Sequence, residues 1–278
     1  MMGQLYIVST PIGNLADITY RAVEVLGGAD RVLAEDTRRT SILLRHYGIR
    51  TPLYSAHAHN EQARTHLLLD WLAANEKVAL VSDAGTPLIS DPGARIVQAA
   101  LNGGHEVVPV PGASSILAAL VASGLNPEPF TFFGFPPRSG RDREVLLEKI
   151  AVLPHTAILY EAPGRIPRLL RDLVATCGGE RNAVVARELT KVHEEFRRGT
   201  LVELAEAFGE LEKVRGEFVV LVEGNTTPVQ PAASEEDVRS VARALLADGQ
   251  SARDVARELA ARFGLSRNEA YQITLDSG

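Results

Sequence analysis

Val81-Ser82-Asp83-Ala84-Gly85-Thr86-Pro87, running on through Leu88-Ile89-Ser90-Asp91-Pro92-Gly93, is the segment from which the architecture of this chain can be read. Just upstream, Val78-Ala79-Leu80-Val81 is a short unbroken apolar run, the pattern of a parallel strand covered on both faces. The run gives way to a loop built for close approach. Asp83 offers a carboxylate at the strand's carboxyl end, Gly85 leaves room for a bound molecule, and Pro87 and Pro92 stiffen the turn. In open α/β sheets that edge is where ligands bind. The same residues also suit an ordinary strand-to-helix connection with Pro92 near the helix start.

On either side of this segment, strand-like apolar runs recur at residues 5–10, 31–36, 78–83 and 106–110, separated by amphipathic stretches such as 60–74. This alternation predicts an α/β domain with a largely parallel sheet over residues 1–125. Two prolines in Asn126-Pro127-Glu128-Pro129 interrupt the pattern and set a domain boundary. A second α/β domain is expected over 126–225, with strands at 130–135, 156–160, 183–187, 194–199 and 218–222 forming a mixed sheet. Residues 226–233 lack periodicity and read as a linker. In the segment 234–278, Ser234 and Ser266 each precede a carboxylate by three residues, and Gly264 sits at a helix end. Three short helices are predicted at 235–247, 252–263 and 267–275. Val238, Val241, Leu245, Val255, Leu259, Phe263, Ala270, Tyr271 and Ile273 would form the core of a helix-turn-helix-like unit.

Charge and cysteine usage narrow the class. The net charge of −6 argues against coating nucleic acid by bulk charge, yet 25 of the 29 basic residues are arginine, the side chain suited to bidentate phosphate contacts. Arg138, Arg141 and Arg143 sit together on an expected loop and helix start, where they could grip phosphates or simply face solvent. The tail carries 6 Arg against 8 Asp plus Glu, so partner contact and nucleic-acid binding stand level there. Cys177 is the one cysteine, which fits a reducing cytoplasm. The start leads straight into a strand-like run, so no signal peptide is expected, and no apolar run approaches a membrane span.

Candidate chemistry gathers at strand ends. The first strand runs into Ser9-Thr10-Pro11-Ile12-Gly13, without the Gly-x-Gly-x-x-Gly spacing of a dinucleotide site or a Walker lysine. The second ends in Glu35-Asp36-Thr37-Arg38-Arg39, which offers either an N-cap followed by a basic helix or an acid beside a phosphate clamp. Ser114 and Ser115 follow Pro111-Gly112 without a nucleophile elbow, so hydrogen bonding is their expected role. Tyr160-Glu161 and Arg187-Glu188-Leu189-Thr190-Lys191 end strands of the second domain and would close a cleft. His57 and His59 lack the further donors that a metal site needs, and no metal is expected.

Taken in order, VSTPIGNL (8–15), AEDTRRT (34–40), VSDAGTPLISDPG (81–93), PGASS (111–115), YEAPGR (160–165) and ARELTK (186–191) resemble the bacterial small-subunit (16S) ribosomal RNA cytidine-2′-O-methyltransferases of the tetrapyrrole methylase superfamily. The likeness covers roughly residues 4–224, and the helical tail is similar to that family's C-terminal domain. It implies two α/β domains with S-adenosylmethionine in the cleft between them, a homodimer, and methyl transfer to a ribose hydroxyl of small-subunit RNA. Carried over residue by residue, it implies a cofactor site of Pro11, Ile12, Gly13, Asp83, Ala84, Gly85, Thr86, Ser114, Ser115, Tyr160, Arg187, Glu188, Leu189 and Phe218. Removing the ribose proton needs a base, with Glu35, Asp36, Glu161, Glu188 and Lys191 as candidates. Asp36 is expected to be the base, with Arg38 and Lys191 steadying phosphate or alkoxide. A methylase of small tetrapyrroles and a non-catalytic ribosome assembly factor remain as alternatives.

Overall fold

The structure, a computed structural model, describes residues 3–57, 60–225, 235–263 and 265–277. Strands β1 (Gln4–Val8), β2 (Arg31–Ala34), β3 (Leu53–Ser55), β4 (Lys77–Val81) and β5 (Glu106–Val110) form one sheet in the order β3-β2-β4-β1-β5. All its pairings are parallel. Side chains alternate between the two faces, as the strand period requires. Leu5, Leu33, Val78 and Leu80 pack on one side against α3 (Glu61–Ala73) and α4 (Ala94–Asn102). Val8, Val32, Ala34, Ala79 and Val81 pack on the other against α1 (Tyr20–Gly28) and α2 (Thr37–His46). Burial on both faces is why these strands read as unbroken apolar runs. β3 escapes such a reading because it is three half-buried residues at the sheet edge.

Helix α5 (Ser115–Ser123) ends at Gly124, whose φ of 84° supplies the left-handed cap, and the prolines at 127 and 129 come next. The second sheet comprises β6 (Phe130–Gly134), β7 (Thr156–Glu161), β8 (Asn182–Arg187), β9 (Glu195–Thr200) and β10 (Phe218–Val222), in the order β6-β7-β10-β8-β9. Only β6 and β7 pair in parallel, so the sheet is mixed as expected. One face carries Ala157, Leu159, Val185, Val220 and Val222 against α6 (Arg141–Val152), α7 (Ile166–Cys177) and α8 (Leu201–Gly209). The opposite face, with Ile158, Val184, Ala186, Val219 and Leu221, is covered by Ala119 and Leu120 of α5. The helix that ends the first α/β half therefore roofs the second sheet. Residues up to Asn225 form one compact unit.

A separate unit holds α9 (Glu235–Ala247), α10 (Ala252–Phe263) and α11 (Arg267–Leu275). Val238, Ala242, Val255, Leu259 and Ala270 make its core, and Ser266 and Glu269 form the reciprocal cap expected at α11. Tyr271 does not join that core. It is exposed, and the neighbouring polar Thr274 is buried instead, its hydroxyl donating to the Ala270 carbonyl at 2.7 Å. The expected linker, the Ser234 cap and Gly264 lie outside the described residues. Among the described residues, no helix is long and apolar enough to cross a membrane.

Candidate active site at the carboxyl ends of the strands

Three loops at the carboxyl edge of the parallel sheet are bound to one another. Thr10 and Gly85 exchange backbone hydrogen bonds of 2.9 and 3.0 Å, so the loops after β1 and β4 run together. Ser9 Oγ and Thr86 Oγ1 lie 3.0 Å apart across the same junction. Asp83 Oδ1 accepts the backbone N–H of Asp36 at 2.8 Å, which ties in the loop after β2. The chain then holds unusual conformations. Gly85 has φ 75°, which suits glycine, but Leu88 and Ser90 have φ of 74° and 67°. Such positions cost about 1–3 kcal/mol each for residues with a side chain, and they concentrate at functional sites.

Facing these loops, Glu161, Phe218 and Arg187 stand in register at one end of the second sheet. The space between is a cavity of about 870 Å³. It is lined from the first half by Ile12, Asp83, Ala84, Gly85, Thr86, Ser114 and Ser115, and from the second by Tyr160, Leu189 and Phe218. Tyr160 reaches across to Ser115, hydroxyl to hydroxyl, at 2.6 Å, and burial pushes its phenol pKa up.

Four expected residues stand behind this wall. Gly13 packs against the loop after β8, where an added Cβ would fall 2.5 Å from Lys191 Cγ and 2.9 Å from the Leu189 carbonyl. Pro11 lies beside it in the same loop, outside the lining. Arg187 donates from Nε to the Arg215 carbonyl at 2.8 Å, and Glu188 Oε1 accepts the Glu217 N–H at 2.9 Å. Conversely, Ile89, Ser90, Asp91, Phe132, Phe135 and Glu217 line the cavity, and the sequence does not single them out as site residues. Residues 89–91 belong to the strand-to-helix segment that begins at Val81, where they read as turn. Phe132 and Phe135 read as strand.

The ionisable groups divide sharply. Asp36 caps α2 through the Arg38 N–H at 2.8 Å and takes two further bonds from the Arg38 guanidinium at 3.0 and 2.7 Å. Those side-chain bonds, helped by the backbone one, lower its pKa to about 2. It caps the helix and is absent from the residues that line the cavity. Arg38 is otherwise in solvent. Lys191 is clamped by Glu188 at 2.9 Å and Glu217 at 3.0 Å; burial alone would lower its pKa, but these partners raise it. The same bond from Lys191 lowers the pKa of Glu188. Glu161 lines the cavity too; its side chain is 0% exposed and paired through Oε1 to Arg165 at 2.6 Å, while its buried Oε2 makes no hydrogen bond among the described residues. Asp91 lines the cavity as well, and burial followed by the Asp83 charge raises its pKa against the opposing Ser82 hydroxyl. Glu35 is likewise raised by burial, then by Asp91 and Asp83.

Arg143 also departs from expectation. It is buried, with Nε and Nη2 on Asp172 at 2.9 and 2.8 Å and Nη1 on the Pro137 carbonyl at 3.0 Å, so it is no phosphate grip. Arg138 and Arg141 remain exposed. Among the described residues, no three His, Cys, Asp or Glu are arranged to hold a metal ion, and His59 lies outside them.

Comparison with known proteins adds a lineage to this geometry. The profile of the Tetrapyrrole (Corrin/Porphyrin) Methylases matches residues 4–205. A Synechocystis protein named Ribosomal RNA small subunit methyltransferase I is 47% identical over 275 residues, spanning 99% of this chain and 98% of its own. The protein of that name from Escherichia coli O157:H7 is 44% identical, over 99% and 95% of the two chains. Among solved structures, a cobalt precorrin-4 methyltransferase of cobalamin biosynthesis aligns with TM-score 0.63 at 18% identity, over 80% of this chain and 94% of its own. A Thermus thermophilus uroporphyrin-III C-methyltransferase complexed with S-adenosyl homocysteine aligns at 0.59 and 22%, over 79% and 97%. Those two likenesses are of fold. Profile, full-length identity and the cavity between two sheets together establish that the chain belongs to the tetrapyrrole methylase family, in the branch of the small-subunit ribosomal RNA methyltransferase I proteins.

Proposed function

We propose that this protein transfers the methyl group of S-adenosylmethionine to the ribose 2′-oxygen of a cytidine in small-subunit (16S) ribosomal RNA, in the cytoplasm and as a homodimer. The observation that carries the reading is the cavity itself, most of whose bound-together loops lie within residues 4–205, the span that the family profile matches. Its volume of about 870 Å³ suits a nucleoside joined to an amino acid. The wall is largely apolar, and Asp83, Asp91 and Glu217 in it complement a cationic ligand. Ile12, Asp83, Ala84, Gly85, Thr86, Ser114, Ser115, Tyr160, Leu189 and Phe218 are the residues we assign to hold the donor. Pro11, Gly13, Arg187 and Glu188 brace the loops that carry them.

When bound, the donor supplies an electrophilic methyl on a sulfonium, chemistry that demands no metal. The chain's tasks are to align the acceptor oxygen, keep water out and take up a proton. Asp91 is our choice for the proton acceptor, because it lines the cavity and its raised pKa makes its carboxylate a stronger base than that of Asp36. Lys191 keeps the two loops at 13 and 188–191 together, and Arg38 offers an exposed cation for phosphate.

The homodimer rests on α5. A helix apolar on all sides needs cover on all sides. Ala119 and Leu120 meet the second sheet and Leu117 lines the cavity, while Val121 on the outer side is 78% exposed. We assign that outer face to a second copy.

The fold likeness to porphyrin and corrin methylases favours a second reading, a tetrapyrrole acceptor. Labelled S-adenosylmethionine offered with a precorrin, naked ribosomal RNA or small subunits separates the readings. Label in a cytidine ribose of the RNA is the expected result. Label in the precorrin alone, or in no acceptor, overturns it.

A further inference from the structure

Phe135 is 53% exposed yet lines the cavity, its ring 5.3 Å from that of Tyr160. Tyr160 is in turn 4.9 Å from Phe132, edge to face. An aromatic ledge therefore runs from the cavity interior to its mouth, and Phe135 is the outermost ring. The backbone aims it there. The register of β6 against β7 shifts between Phe132 and Gly134, and Gly134 takes φ 66°, a bulge of the kind that re-aims a side chain. Gly134 also lies against the loop that carries Asp91, since a Cβ added to it would come within 3.3 Å of Ser90 Oγ.

The chain beyond Phe135 is stiff and basic. Pro136 and Pro137 limit the backbone, and buried Arg143 holds the Pro137 carbonyl at 3.0 Å while Asp172 holds Arg143. Past that anchor, Arg138 and Arg141 stand in solvent. An exposed ring on a braced loop, one step inside two exposed cations, has the form of a platform for a nucleotide: a base stacks on the ring while phosphates meet the arginines.

We propose that Phe135 is the surface on which the target cytosine stacks once it has left its place in the RNA, with Arg138 and Arg141 holding the adjoining phosphates. This rests on the RNA methylation reading. A nucleotide that enters the cavity to bring its ribose hydroxyl to the donor leaves its place in the RNA, and that extrusion forfeits stacking on neighbouring bases. A ring at the cavity mouth replaces that stacking, and an aromatic-to-alanine change at such a contact weakens binding by about 5- to 150-fold.

The test uses the full chain with Phe135→Ala, Phe135→Leu and Phe135→Tyr. Small-subunit concentration is varied in single-turnover methylation, S-adenosylmethionine affinity is read by calorimetry, and molar mass by light scattering. Phe135→Ala and Phe135→Leu should raise the half-saturating subunit concentration by about 5- to 150-fold, and Phe135→Tyr should restore it. Donor affinity and molar mass should not move. Leu performing as well as Phe would overturn the proposal, because an apolar filler would then suffice. A fall in donor affinity would give the ring to the donor, and a change in molar mass would give it to a protein interface; either overturns it too. Should alanine unfold the chain, the comparison of Leu with Tyr decides alone. A wild type that labels no small subunit removes the function reading and this proposal together, whereas a labelling wild type with an equally active Leu variant removes only the proposal.

Discussion

Asp36 and Asp91 both lie in loops after strands of the parallel sheet, and their surroundings drive them apart. The Arg38 side chain and N–H hold Asp36 down at about 2, while burial and then the Asp83 charge hold Asp91 up. Ser82, Asp83, Glu35 and Tyr160 are the groups that sense Asp91. Asp91→Asn is expected to slow single-turnover methylation by roughly 10²- to 10⁴-fold, with the deficit shrinking as pH rises and hydroxide substitutes. Because the folded state raises this carboxyl's pKa, ionising it opposes folding. The same variant should therefore be more stable than wild type once pH exceeds the raised value. Asp36 has the opposite sign. Its contribution to stability is present above its unfolded pKa near 3.8 and is lost as pH falls through about 2. Asp36→Asn keeps a capping side chain, so it should methylate near the wild-type rate and flatten acid unfolding in that window. A 100-fold loss in Asp36→Asn with an active Asp91→Asn would reverse the assignment. The sequence left cap and base open at Asp36. Nothing local distinguished Asp91, because Glu35 and Tyr160 reach it from elements far along the chain.

Elements were more legible than residues wherever burial was two-sided. β4 and β10 read as unbroken apolar runs because helices cover both their faces. β3 and the burial of Arg143 were not legible, the first for its three-residue length and the second because its partner Asp172 lies 29 residues away on α7. The distinction within the arginine loop is open to measurement. Arg143→Met removes a charged hydrogen-bond donor set from a buried site, leaving Asp172 to rehydrate at its exposed side. It should cost about 1–3 kcal/mol in urea unfolding. Arg138→Ala with Arg141→Ala should leave stability within about 0.5 kcal/mol. That pair should instead flatten the salt dependence of RNA binding by about 0.7 to 0.9 log units per lost phosphate contact. Equal stability losses from both sets would place all three arginines in one structural role.

Across the molecule, α5 decides what separates from what. It ends the parallel half yet roofs the mixed sheet, so both α/β halves form one compact unit although the proline break between them reads as a domain boundary. Its outer face leads to the expectation that Val121→Glu turns a dimer into a monomer by light scattering, by placing a charge where apolar surface is now exposed. The helical unit is built otherwise, with its own core of Val238, Val255, Leu259 and Ala270 and its own cap at Ser266. Among the described residues, every one that lines the cavity precedes Asn225, and so does every member of the four cores of the larger unit. A chain ending at Asn225 should therefore bind S-adenosylmethionine within about twofold of the full chain, since the cavity wall is left whole, and should still unfold in a cooperative transition. RNA affinity of that shortened chain then assigns the tail. With 6 Arg against 8 acidic residues in 234–278, little electrostatic attraction is expected from it. An unchanged salt slope, with weaker binding to assembled subunits than to naked RNA, would mark the tail as a contact for ribosomal protein. A slope that falls with the tail removed would make it a reader of phosphate after all.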